Sequence, residues 1–292
     1  MKEALLYQKL DDNKVRCQVC PHYCLIKPGQ RGLCGVRENR KGKLYSLVYG
    51  KAVAINVDPI AKKPLYHFLP DSYSLSVATV GCQFFCRNCQ NWQISQGPKL
   101  TGQIEGEERA PAEIVKMAEE YKTPSISYTY TDPIIFLEYA LETMKLARKK
   151  GLKNIWVTSG FMSRQALKLI LPYLDAANVD LKSFDDGFYQ KYCGGQLKPV
   201  LDSLKEMKKN KVWLEITTLI IPGLTDQEEM LKKIAQFIKT ELGPETPWHI
   251  SRFFPELSWR MKDLPATPLE SLEKVEQIGS AAGLKYVYKG NV

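Results

Sequence analysis

The chain lacks the features that mark membrane, secreted and low-complexity proteins. Among its 292 residues, no apolar run approaches the roughly 18 residues that a membrane helix needs. The amino-terminal stretch MKEALLYQKLDDNKVR has no apolar signal core, and we find neither an internal repeat nor a biased tract. With 44% hydrophobic residues the chain can bury a full core. These observations predict a cytoplasmic globular protein without a membrane partner.

The basic charge has no pattern that points to a particular partner. The formal charge of +9 arises from 41 Lys and Arg against 32 Asp and Glu, mixed along stretches such as LKEMKKNK. No basic stripe with interleaved aromatic residues, as nucleic-acid-binding proteins carry, stands out. The pattern therefore favours a solvated surface over nucleic-acid binding.

The eight cysteines are the most informative residues. Without a secretion signal, so many cysteines indicate metal or redox chemistry rather than disulfides. Seven fall into two groups, Cys17, Cys20, Cys24 and Cys34, and Cys82, Cys86 and Cys89. Cys193 stands alone in KYCGGQ and is predicted to be a small buried hydrophobe.

Strand-like and helical stretches alternate from about residue 73 onward, which is typical of a parallel α/β fold. The six predicted strands are 73–80, 125–130, 153–159, 177–182, 212–220 and 247–253. Six units are three-quarters of an eight-unit barrel, so we expect a partial (β/α)6 TIM-type barrel with its site at the carboxyl ends of the strands. We assign this barrel to residues 65–292, and a small cysteine-rich module to residues 1–64.

The second cysteine group directly follows the first predicted barrel strand. It reads VGCQFFCRNCQNW, with Cys82, Cys86 and Cys89 in a Cys-x3-Cys-x2-Cys spacing. Iron–sulfur clusters normally take four thiolates, so three leave one iron open to another ligand. The alternatives are a zinc site with a fourth ligand from elsewhere, or buried thiols; structural zinc, however, prefers paired Cys-x2-Cys knuckles.

This loop and the alternation after it resemble the radical S-adenosylmethionine (SAM) superfamily. Within it, the chain is similar to pyruvate formate-lyase activating enzymes, and more closely to radical SAM enzymes of the AmmeMemoRadiSam system. The closer similarity rests on CQVCPHYC, GQRGLCGVREN, VDPIAKKPLYHFLP, CQNWQIS, PGLTD, PWHISRF and YVYKGN, which span nearly the whole chain.

The resemblance implies a [4Fe–4S] cluster that reductively cleaves SAM to a 5′-deoxyadenosyl radical, which abstracts hydrogen from a substrate. It also implies a one-electron donor such as ferredoxin or flavodoxin, and Memo-type and AMMECR-type partner proteins. We expect a protein or other macromolecular substrate. The alternatives are a small metabolite, or a non-catalytic iron–sulfur electron-transfer protein.

The resemblance further implies residues that bind SAM at the strand ends. Thr131 and Asp132 lie where relatives contact the methionine amino group, although Asp132 before Pro133 is equally a helix N-cap. Ser159 follows the third predicted strand, where relatives place polar contacts, and could instead cap the next helix.

Three further residues are predicted to line the same cavity. Asp180 and Lys182 match an Asp-x-Lys motif assigned to cofactor and carboxylate binding, with a surface salt bridge as the alternative. His249 would contact the cofactor ribose, although a lone histidine in a strand is usually a core residue. The chain departs from the family at Asn88, where many members place an aromatic residue against adenine; Phe85 or Trp92 could replace it.

The four cysteines of the amino-terminal module are expected to share one metal centre, because a small turn-rich module needs a stabilising element. Their spacing, Cys17-x2-Cys20-x3-Cys24-x9-Cys34, fits zinc and a second iron–sulfur cluster equally. His22 could replace one cysteine. Four reduced thiols without metal are the remaining alternative.

Overall fold

The amino-terminal part of the computed structural model, which describes residues 1–292, consists of short strands. They are β1 (Lys2–Glu3), β2 (Tyr7–Lys9), β3 (Val15–Cys17), β4 (Leu25–Ile26), β5 (Arg37–Arg40), β6 (Lys43–Ser46) and β7 (Lys51–Ala52). Two antiparallel three-stranded sheets form, with the orders β1-β6-β5 and β2-β3-β4. Such small sheets bury little surface, so this part depends on what it packs against.

The rest of the chain is built around one eight-stranded sheet. Its strands are β8 (Ala54–Pro59), β9 (Tyr73–Ala78), β11 (Ser125–Tyr128), β12 (Lys153–Thr158), β13 (Ala176–Asp180), β14 (Trp213–Ile220), β15 (Trp248–Arg252) and β16 (Val287–Gly290); the short β10 (Glu107–Glu108) pairs with β7 instead. The strands from β9 to β16 are parallel and neighbour one another in chain order, while β8 is antiparallel to β9. The edge strands β8 and β16 do not pair, so the barrel is open.

Helices connect the parallel strands. They are α1 (Trp92–Thr101), α2 (Pro111–Glu120), α3 (Leu137–Lys149), α4 (Arg164–Ile170), α5 (Asp186–Phe188), α6 (Leu197–Lys209), α7 (Glu228–Phe237) and α8 (Leu269–Ala282). Pro111 occupies the first position of α2, and the Ser163 hydroxyl caps α4 by accepting a hydrogen bond from the Ala166 amide at 3.1 Å. The expected α/β partial barrel is confirmed.

Two strands of the barrel sheet extend beyond the six that the sequence predicted. A seventh parallel strand, β16, pairs with β15, and β8 adds an antiparallel edge. Because β8 lies within the stretch assigned to the amino-terminal module, the module and the barrel share a sheet as well as one continuous hydrophobic core. The Ser163 amide donates to the Val19 carbonyl and His22 pairs with the Gln83 carbonyl, so the module lies beside the carboxyl ends of the barrel strands.

A buried ion pair fastens the module to the barrel. The Arg37 guanidinium donates to both carboxylate oxygens of Glu138 in α3, at 3.1 and 2.6 Å. Both side chains are essentially inaccessible, and Glu138 also accepts a hydrogen bond from the Leu5 amide at 2.9 Å. This two-point geometry orients the module on the barrel.

Candidate functional site

The three-cysteine loop (Cys82, Cys86, Cys89 and the residues between them) lies at the carboxyl ends of the barrel strands. All three cysteines line one cavity of about 340 Å³. The loop is held by backbone hydrogen bonds from Phe85 to the Cys193 carbonyl, at 2.7 Å, and from Arg87 to the Tyr192 carbonyl, at 3.0 Å. The cavity size is within the range of small-molecule sites.

The thiols of this loop are removed from water. Burial raises the pKa of Cys82 and of Cys89, because it disfavours the thiolate. For Cys86, a hydrogen bond with Cys193 is the largest cause of a raised pKa, followed by burial. Iron ligation would reverse this, since a metal ion holds its sulfur ligands deprotonated. Three soft donors on one cavity therefore fit an iron–sulfur cluster with one open iron.

The wall beside the loop consists of buried hydroxyl groups around Asp132. Its carboxylate accepts from the Thr158 hydroxyl at 2.9 Å, and from the Ser159 amide and hydroxyl at 2.9 and 2.5 Å. It also caps the following turn by accepting from the Ile134 amide at 3.3 Å. Asp132 thus lines the cavity and is an N-cap at the same time. Four accepted hydrogen bonds use most of what a carboxylate can accept, so it orients Thr158 and Ser159.

Thr131 lies next to this network and lines the same cavity. Its hydroxyl donates to the Thr79 carbonyl at 2.8 Å, which joins the ends of β9 and β11. Ser159 is linked to the three-cysteine loop, because its hydroxyl accepts from the side-chain amide nitrogen of Gln83 at 3.1 Å. The hydroxyl wall and the loop are thus one hydrogen-bonded unit.

Asp180 and Lys182 line the same cavity, where β13 ends. The Lys182 ammonium donates to Asp180 at 2.8 Å, and its side chain is only 17% exposed. Burial by itself would lower the pKa of Lys182, but the negative charges of Asp180 and Cys86 raise it well above its usual value. The lysine of this pair is largely buried while its carboxylate partner is 40% exposed, and Lys182 presents a cation to the cavity.

His249 does not join these residues. Its Nε2 pairs with Glu215 at 2.7 Å, and its ring is 2% exposed against the edge of Tyr66. Side chains of a strand alternate between faces, so His249 and Ser251 share the inner face of β15, but only Ser251 lines the cavity. The structure places His249 in the layer beneath, contrary to the expectation that it lines the cavity with Asp180 and Lys182.

Asn88 reaches the cavity, whereas the aromatic side chains expected to replace it do not. Phe85 is 38% exposed and packs under the Lys99 ammonium, and Trp92 stacks on Trp259. Asn88 lines the cavity, and its side-chain oxygen is buried without a hydrogen-bond partner. A buried acceptor without a partner is costly unless a ligand supplies one.

The four-cysteine pocket, lined by Cys17, Cys20, Cys24 and Cys34, is a second and much smaller cavity of about 20 Å³. His22 and Arg37 complete its polar lining. In neither cysteine group do three side chains converge closely enough to hold a single metal ion. The four cysteines line one pocket, but a metal centre shared by all four of them stays a prediction.

Two residues beside these sites make contacts that the sequence did not predict. Cys193 is fully buried, as expected, but its thiol contacts Cys86 instead of packing only against apolar groups. Lys99 in α1 donates to the Phe84 carbonyl at 2.7 Å and lies near thiols of both cysteine groups. Cys193 is far from the three-cysteine loop in the chain, and Lys99 lies in a helix without a recognisable motif. Only the fold therefore shows these contacts.

The comparison with known protein families decides what this arrangement belongs to. The model of the Radical SAM superfamily matches residues 76–237, which include the three-cysteine loop and the strands from β11 to β14. The chain belongs to the Radical SAM superfamily. Membership implies a [4Fe–4S] cluster and SAM as cofactors, and the donor set of the cavity fits both.

Two relatives and one solved structure illustrate the similarity. The uncharacterized protein MJ0808 of Methanocaldococcus jannaschii is 47% identical over all of this chain and 86% of its own. The pyruvate formate-lyase-activating enzyme of Clostridium pasteurianum is 24% identical over 68% of this chain and 86% of its own. A radical SAM methyltransferase from Sphaerobacter thermophilus shares the fold, with a TM-score of 0.56 at 14% identity over 77% of this chain and 68% of that one.

The structure also bears on membrane association. None of its helices combines the length and the apolar character that crossing a bilayer requires.

Proposed function

We propose that Cys82, Cys86 and Cys89 hold the [4Fe–4S] cluster of this radical SAM enzyme, and that SAM occupies the cavity beside them. When bound, the cluster supplies the electron that cleaves SAM to a 5′-deoxyadenosyl radical, which abstracts hydrogen from the substrate. The observation that carries this proposal is that three thiols, a buried cation and a wall of hydroxyl groups line one cavity of about 340 Å³. A non-catalytic electron-transfer protein would need neither the buried cation nor the hydroxyl groups.

Lys182 is proposed to bind the carboxylate of SAM. It is held by Asp180 at 2.8 Å and is largely screened from water, so its attraction for a second carboxylate is stronger than at the surface. Asp180 keeps the ammonium charged and oriented toward the cavity. The Asp180–Lys182 pair therefore orients SAM relative to the cluster.

Thr131, Asp132 and Ser159 are proposed to bind the methionine end of SAM together. Asp132 fixes the Ser159 hydroxyl at 2.5 Å, and Ser159 is in turn tied to Gln83 of the three-cysteine loop. His249 is enclosed with Glu215 beneath the cavity, and its proposed role is to support the residues that line the cavity. These groups exclude water from the reacting atoms and fix their positions.

Asn88 is proposed to recognise adenine by a hydrogen bond rather than by stacking. Its unpaired side-chain oxygen can accept from the adenine amino group. This accounts for both the absence of an aromatic residue at this position and the unpaired acceptor.

The proposed substrate is a protein or another macromolecule, as for activating enzymes. Relatives named pyruvate formate-lyase-activating enzyme support this, and so does a barrel whose edge strands do not close over the cavity. Memo-type and AMMECR-type proteins are the proposed partners, with ferredoxin or flavodoxin as the one-electron donor. We also propose that the four-cysteine pocket binds a metal centre.

The substrate class is tested by following hydrogen from substrate to cofactor. The anaerobically reconstituted enzyme is given SAM, dithionite and an extract of deuterium-labelled cells, separated into protein and small-molecule fractions. Deuterium in 5′-deoxyadenosine with the protein fraction is the expected result. Deuterium only with the small-molecule fraction would instead establish a metabolite substrate. Cys82→Ala provides the control for label released without turnover.

A further inference from the structure

The four-cysteine pocket has features of a buried anionic metal centre. Cys17 and Cys34 are buried, and Cys20 and Cys24 are half-buried, so four free thiolates would be costly there without positive charge. Arg37 lines the pocket, is 2% exposed, and has an Nε with no hydrogen-bond partner. Its other two nitrogens are bound to Glu138. An unpartnered buried donor on a residue that lines this pocket indicates that an acceptor belongs there.

The spread of the thiols distinguishes a cluster from a single ion. Zinc draws its sulfur ligands to about 2.3 Å from one point, which requires tight convergence. No three ligating side chains of the four-cysteine pocket converge in that way, although all four thiols line the same cavity. The three-cysteine loop shows the same spread around its own cavity. Because a multi-iron cluster separates its ligands, thiols placed in this way favour a cluster over a zinc knuckle.

The two cysteine groups are in direct contact through the backbone. Gly81, which precedes Cys82, packs so closely on the module that a Cβ there would lie 3.0 Å from the Cys34 carbonyl oxygen and 2.5 Å from Val36. Its φ of +101° also favours glycine. His22, which lines the four-cysteine pocket, pairs through Nε2 with the Gln83 carbonyl at 3.0 Å.

Lys99 joins the two groups electrostatically. The Lys99 ammonium donates to the Phe84 carbonyl of the three-cysteine loop at 2.7 Å, and its side chain lies 3.2 Å from where a Cβ on Gly35, next to Cys34, would be. A cation held between two anionic centres favours negative charge on each of them. Because the two groups adjoin each other, an electron passing between them stays within the protein.

From these contacts we propose that Cys17, Cys20, Cys24 and Cys34 bind a second iron–sulfur cluster through which electrons enter the enzyme. One electron passes from a ferredoxin- or flavodoxin-type donor to this cluster, which is reduced. The same electron then passes to the cluster of the three-cysteine loop, and the second cluster is oxidised again. The relay rests on the proposed function; the presence of the second cluster does not.

Metal content tests the cluster independently of SAM chemistry. The Cys82/Cys86/Cys89→Ala triple variant is reconstituted anaerobically with ferrous iron, sulfide and zinc together. We expect iron and acid-labile sulfide in equal amounts, with an electron paramagnetic resonance signal after reduction. The matched control, Cys17/Cys20/Cys24/Cys34→Ser, should keep only the cluster of the three-cysteine loop. Stoichiometric zinc in the triple variant, or no metal at all, overturns the proposal.

The relay is tested by comparing two reductants on one variant. Cys24→Ser alters a half-buried ligand, and its fold is checked by circular dichroism. We expect the ratio of flavodoxin-driven to dithionite-driven SAM cleavage to fall at least about tenfold, since dithionite is small enough to reach either centre. An unchanged ratio overturns the relay while leaving the second cluster to be decided by the iron analysis. Absence of cleavage with either reductant in the wild-type protein would contradict the proposed function instead.

Discussion

The three-cysteine loop and the four-cysteine pocket use the same ligand type to different ends. The loop opens onto a cavity of about 340 Å³ that also holds the Asp180–Lys182 pair and several hydroxyl groups. The pocket encloses about 20 Å³, and the charge of its buried arginine is already paired with Glu138. The cavity beside the loop has room for a substrate, whereas the four-cysteine pocket has room only for a centre that its own cysteines bind.

This difference shows that the chemistry of a cysteine site depends on how many thiolate ligands it offers and on the size of the adjoining cavity. Three thiols leave a coordination position open, and the surrounding polar groups determine what occupies it. Four thiols in a closed pocket satisfy a centre fully, which suits stability or electron transfer. The number of cysteines and the adjoining cavity together separate the two sites.

The largest expected effect is on the open site. Cys89→Ala should reduce release of 5′-deoxyadenosine to the level without enzyme, because two thiolates cannot hold the cluster. Chromatography of anaerobic reactions with SAM and dithionite measures this. Cys193→Ala is the control and should retain iron and turnover, since Cys193 contacts Cys86 without being one of the three ligands. Turnover in Cys89→Ala would refute the assignment of the loop.

The next effect concerns the ion pair behind the closed site. Glu138→Gln should lower the free energy of unfolding by about 3–5 kcal/mol, because it leaves the Arg37 charge buried without a partner. Chemical denaturation measures this. The control, Glu120→Gln, disrupts an exposed pair with Lys116 and should cost only about 0.3–0.5 kcal/mol. Equal losses in both variants would show that Arg37 finds compensation elsewhere.

Lys182→Ala should weaken SAM binding about 10- to 150-fold, because it removes a charge-assisted hydrogen bond to the SAM carboxylate. Asp180 is 40% exposed and can be solvated, so unfolding free energy should change by no more than about 1 kcal/mol. Equilibrium titration with SAM and thermal denaturation measure the two quantities. Lys198→Ala, at a pair whose lysine is 82% exposed, should alter neither. A stability loss without weaker binding would make Lys182 structural.

The smallest effect is expected at Asn88. Asn88→Ala should weaken SAM binding about 3- to 10-fold, as for loss of one neutral hydrogen bond. It should also reduce the preference for SAM over its analogue with a 6-oxo group in place of the adenine amino group. Competition binding measures that preference. A preference that stays at the wild-type value would place the adenine contact elsewhere.

The strand periodicity identified most of the barrel but not its edges. Six parallel strands were predicted, and the sheet has them. The seventh, β16, has only four residues, all of them half-buried, so it lacks the apolar run of an inner strand. The edge strand β8 reads as part of the module, because local sequence does not show which neighbour a strand pairs with. Both edges were thus decided by pairing between distant segments.

The sequence alone determined the radical SAM family resemblance, the alternating fold and the two cysteine groups, because spacing and periodicity are local properties of the chain. Tertiary structure alone placed His249 beneath the cavity, brought Cys193 to Cys86, and left the Asn88 oxygen without a partner. These contacts join residues that are far apart in the chain, and they depend on how deep each side chain lies below the cavity. Because packing sets both the depth and the distances between such residues, no local pattern encodes them.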